Sequence, residues 1–560
     1  MLLQVRQVAV PLRHDPTRLA ATAARKLGVP ATAVRVCLPV RRSLDARKTS
    51  PRSQPGRPVF VYTLEVEVDD AAMRGRPLPP DVVPTSRAVK PLPARSARVW
   101  PKTRSRPMVV GAGPAGLWAA LVLAEAGAEP VVLERGGPAE ERSRRVEAFW
   151  RQGIFDPDDN ALFGEGGAGL FSDGKLATRA HDRGAIARFL HSLVEAGAPS
   201  SILLDAEPHL GSDLLMELLP RLRRRIEAAG GTFRFRTRAV GLRTESGELR
   251  AVRVADLVDG PGAEAEIPAT ACFLAIGHSA RDVYRWLAES GVMLAPKPFA
   301  VGVRLELPQK RVDQAQWGRW VGSPGLDAAS FRLTWRGEGP MKERRGAYTF
   351  CMCPGGVVVA AATEPGAVFT NGMSYAARDG IFANAAFIMP VGADDFPKRM
   401  ATEEACASAV ALSGLAWQDA VERRAYAAGA AAGPFGLPAS PLPDFLARRT
   451  PRELPAARSV TRATAADLWE ILPAPLAEGL ARAIPAMMGK LRGVRRDETL
   501  AYAAETRTSS PVRIPRNADG SAPGVHGLYP VGEGAGYAGG IVTSALDGLR
   551  AAESWLAREM

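Results

Sequence analysis

The segment Val109-Val110-Gly111-Ala112-Gly113-Pro114-Ala115-Gly116 leaves little freedom in the fold that can surround it. An apolar run with the pattern of a strand precedes it, and an alanine-rich run with the pattern of a helix follows. The spacing continues through Ala120 and Gly127 to Glu134 and Arg135, behind a second apolar run at 130–133. Each position has a mechanical task. Gly111 makes the tight turn, and Gly113 lets a pyrophosphate approach the backbone. Gly116 and Ala120 let the helix lie close on the sheet, and Glu134 reaches a ribose hydroxyl. Pro114 and Ala115 open the helix, whose unpaired N–H groups and partial positive charge favour phosphate. The expectation is a Rossmann-like dinucleotide-binding βαβ unit in an α/β protein.

With 560 residues there is material for several domains. The five cysteines (Cys37, Cys272, Cys351, Cys353, Cys406) are odd in number and scattered, which argues against a disulfide framework and fits a reducing cytoplasm. The N-terminus has no apolar core or cleavage-like site, so no signal peptide is expected. The longest apolar region, residues 108–124, contains the fingerprint glycines and does not read as a membrane span.

Charge is unevenly placed. Residues 1–107 hold 21 of the 72 Lys and Arg but only 7 of the 59 Asp and Glu, so the whole net charge of +13 arises ahead of the fingerprint. Such a region can attract nucleic acid or an anionic surface, or can be a solvated appendage. Its pattern is β–α–β–β: strands at 2–10, 34–38 and 59–68, and a helix at 16–27 capped by Asp15 and closed by Gly28. That is compatible with a small ferredoxin-like module over residues 1–75. A basic stretch, 41–48, follows the second strand, and no paired aromatic motif for stacking bases is present. Residues 76–106 are rich in Pro and Arg and read as a linker.

Two further segments select the dinucleotide. Thr270-Ala271-Cys272-Phe273-Leu274-Ala275-Ile276-Gly277 is an apolar strand ending in glycine. Gly527-Leu528-Tyr529-Pro530-Val531-Gly532-Glu533-Gly534 is a strand ending in glycine plus an acid. Both resemble elements of flavoproteins with two dinucleotide-binding domains. There the final acid, usually Asp, holds the ribityl chain. Gly539-Gly540-Ile541 leads into a helix whose N-terminus would favour electron density at the pyrimidine end of a reduced flavin. Together they favour non-covalent FAD over NAD. The glycine-rich segment 163–175 adds Gly166, Gly167, Asp173 and Lys175 as cofactor contacts, and the strand at 239–243 adds Val240.

Longer motifs then become recognisable. Residues 163–176, Gly277-His278-Ser279-Ala280-Arg281-Asp282, Phe350-Cys351-Met352-Cys353-Pro354-Gly355-Gly356, Thr370-Asn371-Gly372-Met373-Ser374, residues 506–513 and Gly536-Tyr537-Ala538-Gly539-Gly540 closely resemble a bacterial family of FAD-dependent dehydrogenases of unassigned substrate. The resemblance spans nearly the whole chain. It implies an FAD-binding fold with an inserted second domain, and the segment pattern is read as an FAD-binding domain at 107–285 and 490–560 with a substrate-facing α+β domain at 286–489.

No second Gly-x-Gly-x-x-Gly is present, so NAD(P)H would act as a transient electron donor or acceptor without its own Rossmann domain. Cysteine and histidine spacing gives no metal site. Cys351 and Cys353 fit either thiolate chemistry or two inert cysteines packed on one strand. Three residues are candidates for catalysis. Lys175 is a cation near the flavin or one half of a loop ion pair. Arg507, with Arg513, either brackets an anionic substrate or serves structural pairing. His278 is a proton donor or a neutral group under the cofactor. The expected activity is hydride transfer through flavin N5 on a small-molecule substrate. The other readings are an RNA-associated flavoprotein, docking through residues 1–107, and a non-catalytic flavin-binding protein.

Overall fold

The computed structural model describes residues 1–46, 57–86, 105–178, 180–258, 264–337, 345–396 and 407–559. A five-stranded parallel sheet lies at its centre, in the order Leu528–Pro530, Cys272–Leu274, Met108–Val110, Val131–Leu133, Thr232–Arg234. Val109 pairs with Phe273 on one side and Val132 on the other, and Phe273 pairs with Tyr529. All but the last strand are buried throughout. Parallel strands covered on both faces are apolar without alternation, which is why these runs read Met-Val-Val, Val-Val-Leu and Cys-Phe-Leu.

The fingerprint helix, Pro114–Glu125, is buried from Ala115 to Ala124 and packs against the last helix, Ile541–Glu559. Chain segments more than 400 residues apart in sequence thus close one α/β unit. Gly116 sets how near the helix starts to its own turn. A Cβ there would stand 1.8 Å from the Gly111 carbonyl oxygen, closer than any side chain tolerates. This is the Rossmann-like fold class the fingerprint predicts. Beside the sheet lies an antiparallel meander, Thr237–Glu245, Glu248–Asp256 and Glu264–Pro268.

The inserted part is a seven-stranded mixed sheet in the order Thr334–Trp335, Ala347–Cys353, Phe382–Val391, Phe299–Pro308, Leu500–Glu505, Leu437–Pro441, Ala463–Ala465. The boundary drawn from sequence at 490 is corrected here. Leu500–Glu505 pairs with Phe299–Pro308 and Leu437–Pro441, so it belongs to the inserted sheet and not to the FAD-binding part. An apolar strand carries no mark of which sheet it will join.

The N-terminal sheet has four antiparallel strands in the order Val34–Asp45, Val59–Val68, Leu2–Pro11, Val82–Pro84. Leu3, Val5, Leu64 and Val66 face the helix residues Leu19, Ala23 and Leu27 in one small core. Two readings change. Arg41 to Asp45 continue the second strand instead of following it, because they pair with Thr63 to Val59 beyond a bulge at residue 40. Residues 82–84, read as linker, form the fourth strand on Leu2–Pro11. Arg47, Lys48 and residues 87–104 of the linker lie outside the described residues.

This basic module is docked on the part built around the parallel sheet. The Arg42 amide donates to Leu204 O (2.7 Å), Ala206 donates back to Arg42 O (2.8 Å), and the Arg42 guanidinium pairs with Asp205 at 2.6 Å. Among the described residues no helix is long and apolar enough to cross a membrane, and no group of three or more His, Cys, Asp or Glu is placed to hold a metal ion.

Candidate functional site

One cavity of about 990 Å³ runs from the fingerprint turn to the inserted sheet. That is at the top of the range of about 300–1,000 Å³ for ligand pockets. Of the residues expected from sequence, Gly111, Gly113, Pro114, Ala115, Glu134, Arg135, Gly167, Asp173, Lys175, Gly277, His278, Arg507, Glu533, Gly539, Gly540 and Ile541 all line it.

Two glycines test whether a nucleotide fits. A Cβ on Gly113 would meet nothing nearer than Gly167 Cα at 3.9 Å, and one on Gly539 would meet nothing within 4 Å. Neither residue has a positive φ. The protein itself does not require glycine at either place, and both face the cavity beside the N-terminus of a long helix. Space kept open at the positive end of a helix suits a phosphate at Gly113 and the anionic edge of a flavin at Gly539.

Glu134 is buried and accepts three backbone N–H bonds, from Ala112 (2.7 Å), Gly136 (3.0 Å) and Gly164 (2.9 Å). It therefore ties the fingerprint turn to the glycine-rich loop as well as lining the cavity. Arg135 is committed to Asp158 (2.7 Å) and Asp282 (2.9 Å) and lies 4.4 Å from the centre of the Phe163 ring.

Four predicted contacts sit behind the wall. Gly116 packs on its own turn, Gly166 donates to Ala112 O (2.8 Å), and Gly532 donates to Asp547 (2.7 Å). Val240 is the extra residue of a β-bulge: Ala239 pairs with Val254 and Gly241 with Arg253, leaving it unmatched. Its neighbours Thr237, Arg238 and Ala239 line the cavity in its place. A one-residue slip moves a side chain to the other face, and bulges are not legible in a single sequence.

At the other end Glu533 and His278 meet, with Oε2 and Nδ1 3.8 Å apart. Burial pushes the Glu533 carboxyl up to about 7, against the Gly540 N–H and Lys297. Burial also pushes His278 down to about 3, and Arg507 adds to the shift. At neutral pH His278 carries no charge, so the contact is no ion pair. The imidazole has no extra proton to give, which removes it as a cationic proton donor.

Lys175 and Asp173 form an ion pair of 2.7 Å, and Arg378 and Ser374 hold the same carboxylate. Burial would raise Asp173, but Lys175 and Arg378 outweigh it and keep the carboxyl below its ordinary value. Lys175 also donates to Met352 O, tying the loop to the inserted sheet.

Arg507 resolves toward structural pairing. It grips Glu422 with two bonds (2.9 and 2.8 Å), donates to Thr363 (2.8 Å), and stacks at 4.3 Å on Phe369. Arg281 holds the same Glu422 at 3.0 Å. Burial raises Glu422, but the two guanidinium groups prevail and hold it down to about 2. Arg513 stands outside the cavity against Tyr537, so the two arginines do not bracket a substrate.

The wall facing the nucleotide half comes from Phe331, Tyr348 and Arg332, with no sequence signal, and from Phe350 and Arg41, which lie in a family motif and in the basic stretch. Phe331, Tyr348 and Phe350 supply an apolar face, Arg41 supplies charge, and Arg332 pairs with Glu207 of the same lining at 3.1 Å. Arg41 arrives from the N-terminal module. No local signal says that these positions meet, because strands far apart in sequence bring them together.

A parallel sheet with its glycine turn, two helix N-termini and a cavity of this size define a flavoprotein of the FAD-binding Rossmann type. Known proteins agree. The "FAD dependent oxidoreductase" family model matches residues 108–203, the "FAD-dependent protein, C-terminal domain-like" model matches 298–508, and a domain of unknown function matches 2–67. An uncharacterised protein of Clostridium beijerinckii is 40% identical over 454 residues, 80% of each chain. The chain belongs to this family of FAD-dependent oxidoreductases.

Solved structures with weaker likeness include a triple mutant of the flavin-dependent brominase Bmp2 (10% identity, 82% of this chain and 81% of that one, TM-score 0.35). A geranylgeranyl bacteriochlorophyll reductase-like protein of Thermoplasma acidophilum matches at 12% identity, over 81% and 78% of the chains, with a TM-score of 0.31. CtdE in complex with FAD matches at 12% identity, over 80% and 83%, with a TM-score of 0.29.

Proposed function

We propose that the protein moves hydride between FAD and a small substrate that carries an anionic group. The observation behind this reading is the continuity of the cavity. It joins the nucleotide-binding turn, the open glycines at 539–540 and an inserted wall with both apolar and cationic side chains. Bound FAD would supply the hydride chemistry at N5, and the protein supplies position and electrostatics.

The first turn of helix Pro114–Glu125 would hold the pyrophosphate, Glu134 the ribose, and Thr237 to Ala239 the adenine end. Gly539 to Ile541 would hold the ring, with their helix N-terminus favouring negative charge there. Lys175 lines the cavity as a cation paired with Asp173, where the glycine-rich loop meets the inserted sheet. Glu533, near half-protonation at neutral pH, can hold or release a proton at its carboxyl oxygen beside Gly540. Phe331, Tyr348 and Phe350 exclude water from the opposite wall. Arg41 replaces Arg507 and Arg513 as the group that meets the substrate anion, beside the Arg332–Glu207 pair.

The test is anaerobic. Purified protein should be yellow, and the flavin should bleach with NADH, NADPH or a member of a panel of carboxylate and phosphate metabolites. A flavin that stays oxidised with every reductant sinks the hydride reading. A colourless protein that takes up no FAD sinks the cofactor assignment.

A further inference from the structure

The pair Cys351 and Cys353 has no part in that reading, yet its placement is unusual. The strand Ala347–Cys353 pairs regularly with Phe382–Val391 up to Phe350, which faces Ala386. Cys353 then faces Asn384, so three steps on one strand match two on the other. The extra residue makes a bulge at 351–352. Cys351 has φ +43°, in the left-handed region that residues with side chains avoid. Such backbone is sustained only where the surroundings impose it, and it clusters at functional sites. Bulges likewise re-aim side chains beside active sites.

The result is two thiols on one side of the strand, with Sγ atoms 4.0 Å apart. Cys351 is partly exposed in the cavity wall, and Cys353 is wholly buried behind it. Two cations pin the bulge by its carbonyl groups. Arg304, itself locked to Glu505, donates to Cys351 O (3.1 Å), and Lys175 donates to Met352 O.

The electrostatics divide the pair. The Cys353 thiol has the Cys351 sulfur and the Cys351 carbonyl oxygen (3.3 Å) within reach of its hydrogen. That thiol, and after it Arg304 and Lys175, hold Cys351 below the ordinary thiol value against the effect of burial. Cys353 is held above it. The other described cysteines differ: burial pushes Cys272 up to about 12, and Cys37 is raised as well.

We propose that Cys351 and Cys353 are a redox-active dithiol, with Cys351 the attacking and Cys353 the resolving thiol, acting on a small-molecule disulfide admitted to the cavity. The Cys351 thiolate attacks one sulfur of the small disulfide. That S–S bond breaks, a mixed disulfide forms on Cys351, and the first small thiolate leaves with the electron pair and takes up a proton. Cys353 loses its proton and attacks Cys351 Sγ, displacing the second small thiol. The net change is one small disulfide reduced to two thiols and one Cys351–Cys353 disulfide made. For this the sulfurs must close to about 2.05 Å.

The test uses the full-length protein, hydroxyethyl disulfide as the probe, an acid quench and peptide mass measurement. The peptide holding both cysteines should lose two hydrogens while two mercaptoethanol molecules appear per chain. Its rate should exceed modification of Cys37 by about tenfold or more, because only the thiolate attacks. Cys353→Ala should stop at the mixed disulfide on Cys351 and release one thiol. Cys351→Ala should abolish the reaction at Cys353. If Cys353→Ala does not fold, Cys353→Ser and the wild-type peptide mass carry the test. A wild-type dithiol left unmodified, or full thiol release from Cys351→Ala, overturns the proposal. Neither outcome depends on flavin reduction, so the hydride reading stands or falls separately.

Discussion

The nucleotide wall of the cavity presents backbone, whereas the inserted-sheet wall presents side chains. On the first, what matters is missing side-chain atoms at Gly113 and Gly539, beside the N-termini of two long helices. On the second, it is Cys351, Tyr348, Phe350 and Arg332, carried on or beside strands of the inserted sheet. Backbone sites tolerate little change in sequence but need few partners. Side-chain sites depend on buried pairs such as Arg507–Glu422 and Arg304–Glu505 to hold their geometry. The nucleotide wall therefore suits a fixed cofactor, and the inserted wall can be tuned to a substrate.

The largest effect should come from the charged pairs behind the second wall. Glu422→Ala leaves Arg281 and Arg507 buried without their shared carboxylate. The expected loss is about 3–5 kcal/mol in a urea titration. A change below 1 kcal/mol would show that this wall does not lean on its pairs.

The backbone wall can be broken in two distinguishable ways. Gly116→Ala drives a Cβ to 1.8 Å from Gly111 O and should destabilise the apoprotein by about 3 kcal/mol. Gly113→Ala meets only open space, so stability should hold while FAD affinity falls by at least about tenfold, or 1.4 kcal/mol. Equal stability losses at both positions would remove the distinction between a glycine the fold needs and one the cofactor needs.

Glu533 links the two walls to pH. Its carboxyl is held up to about 7 in the folded apoprotein, against an ordinary 4.5. The folded state thus keeps a proton that the unfolded chain has lost, and stability falls as pH rises from 4.5 to 7. The contribution is on the order of 3 kcal/mol. His278, held down to about 3, acts in the opposite sense, losing stability as pH drops below 6.5. The measurement is therefore the difference between wild type and Glu533→Gln at pH 5 and pH 8. The same difference at both values would place Glu533 in ordinary solvent.

The smallest effect belongs to the docked N-terminal module. Arg42 and Asp205 are about a third exposed, so Arg42→Ala should change stability by about 0.5 kcal/mol. Loss of several kcal/mol would make the module part of the core.

The FAD-binding half was legible because its signals are local. A turn, a helix start and a strand end each fix their own residue types, and Gly111, Gly113, Gly277 and Gly539 all reach the cavity. The inserted half was less so. Leu500–Glu505 joins the inserted sheet despite its place after residue 490, since an apolar strand pairs with whatever edge the tertiary fold offers. Val240 was displaced by a bulge, and Arg507 faces a carboxylate 85 residues away.

By itself the sequence determined the cofactor class, because a pyrophosphate and a flavin edge demand particular backbone shapes, and few residue types allow them. Only the tertiary structure decided the rest: that Glu422 claims Arg507, that a bulge turns two cysteines toward each other, and that Arg41 crosses from a separate module to the cavity. Those outcomes depend on strand pairing and burial across long sequence separations, where the identity of a residue says little about its neighbours.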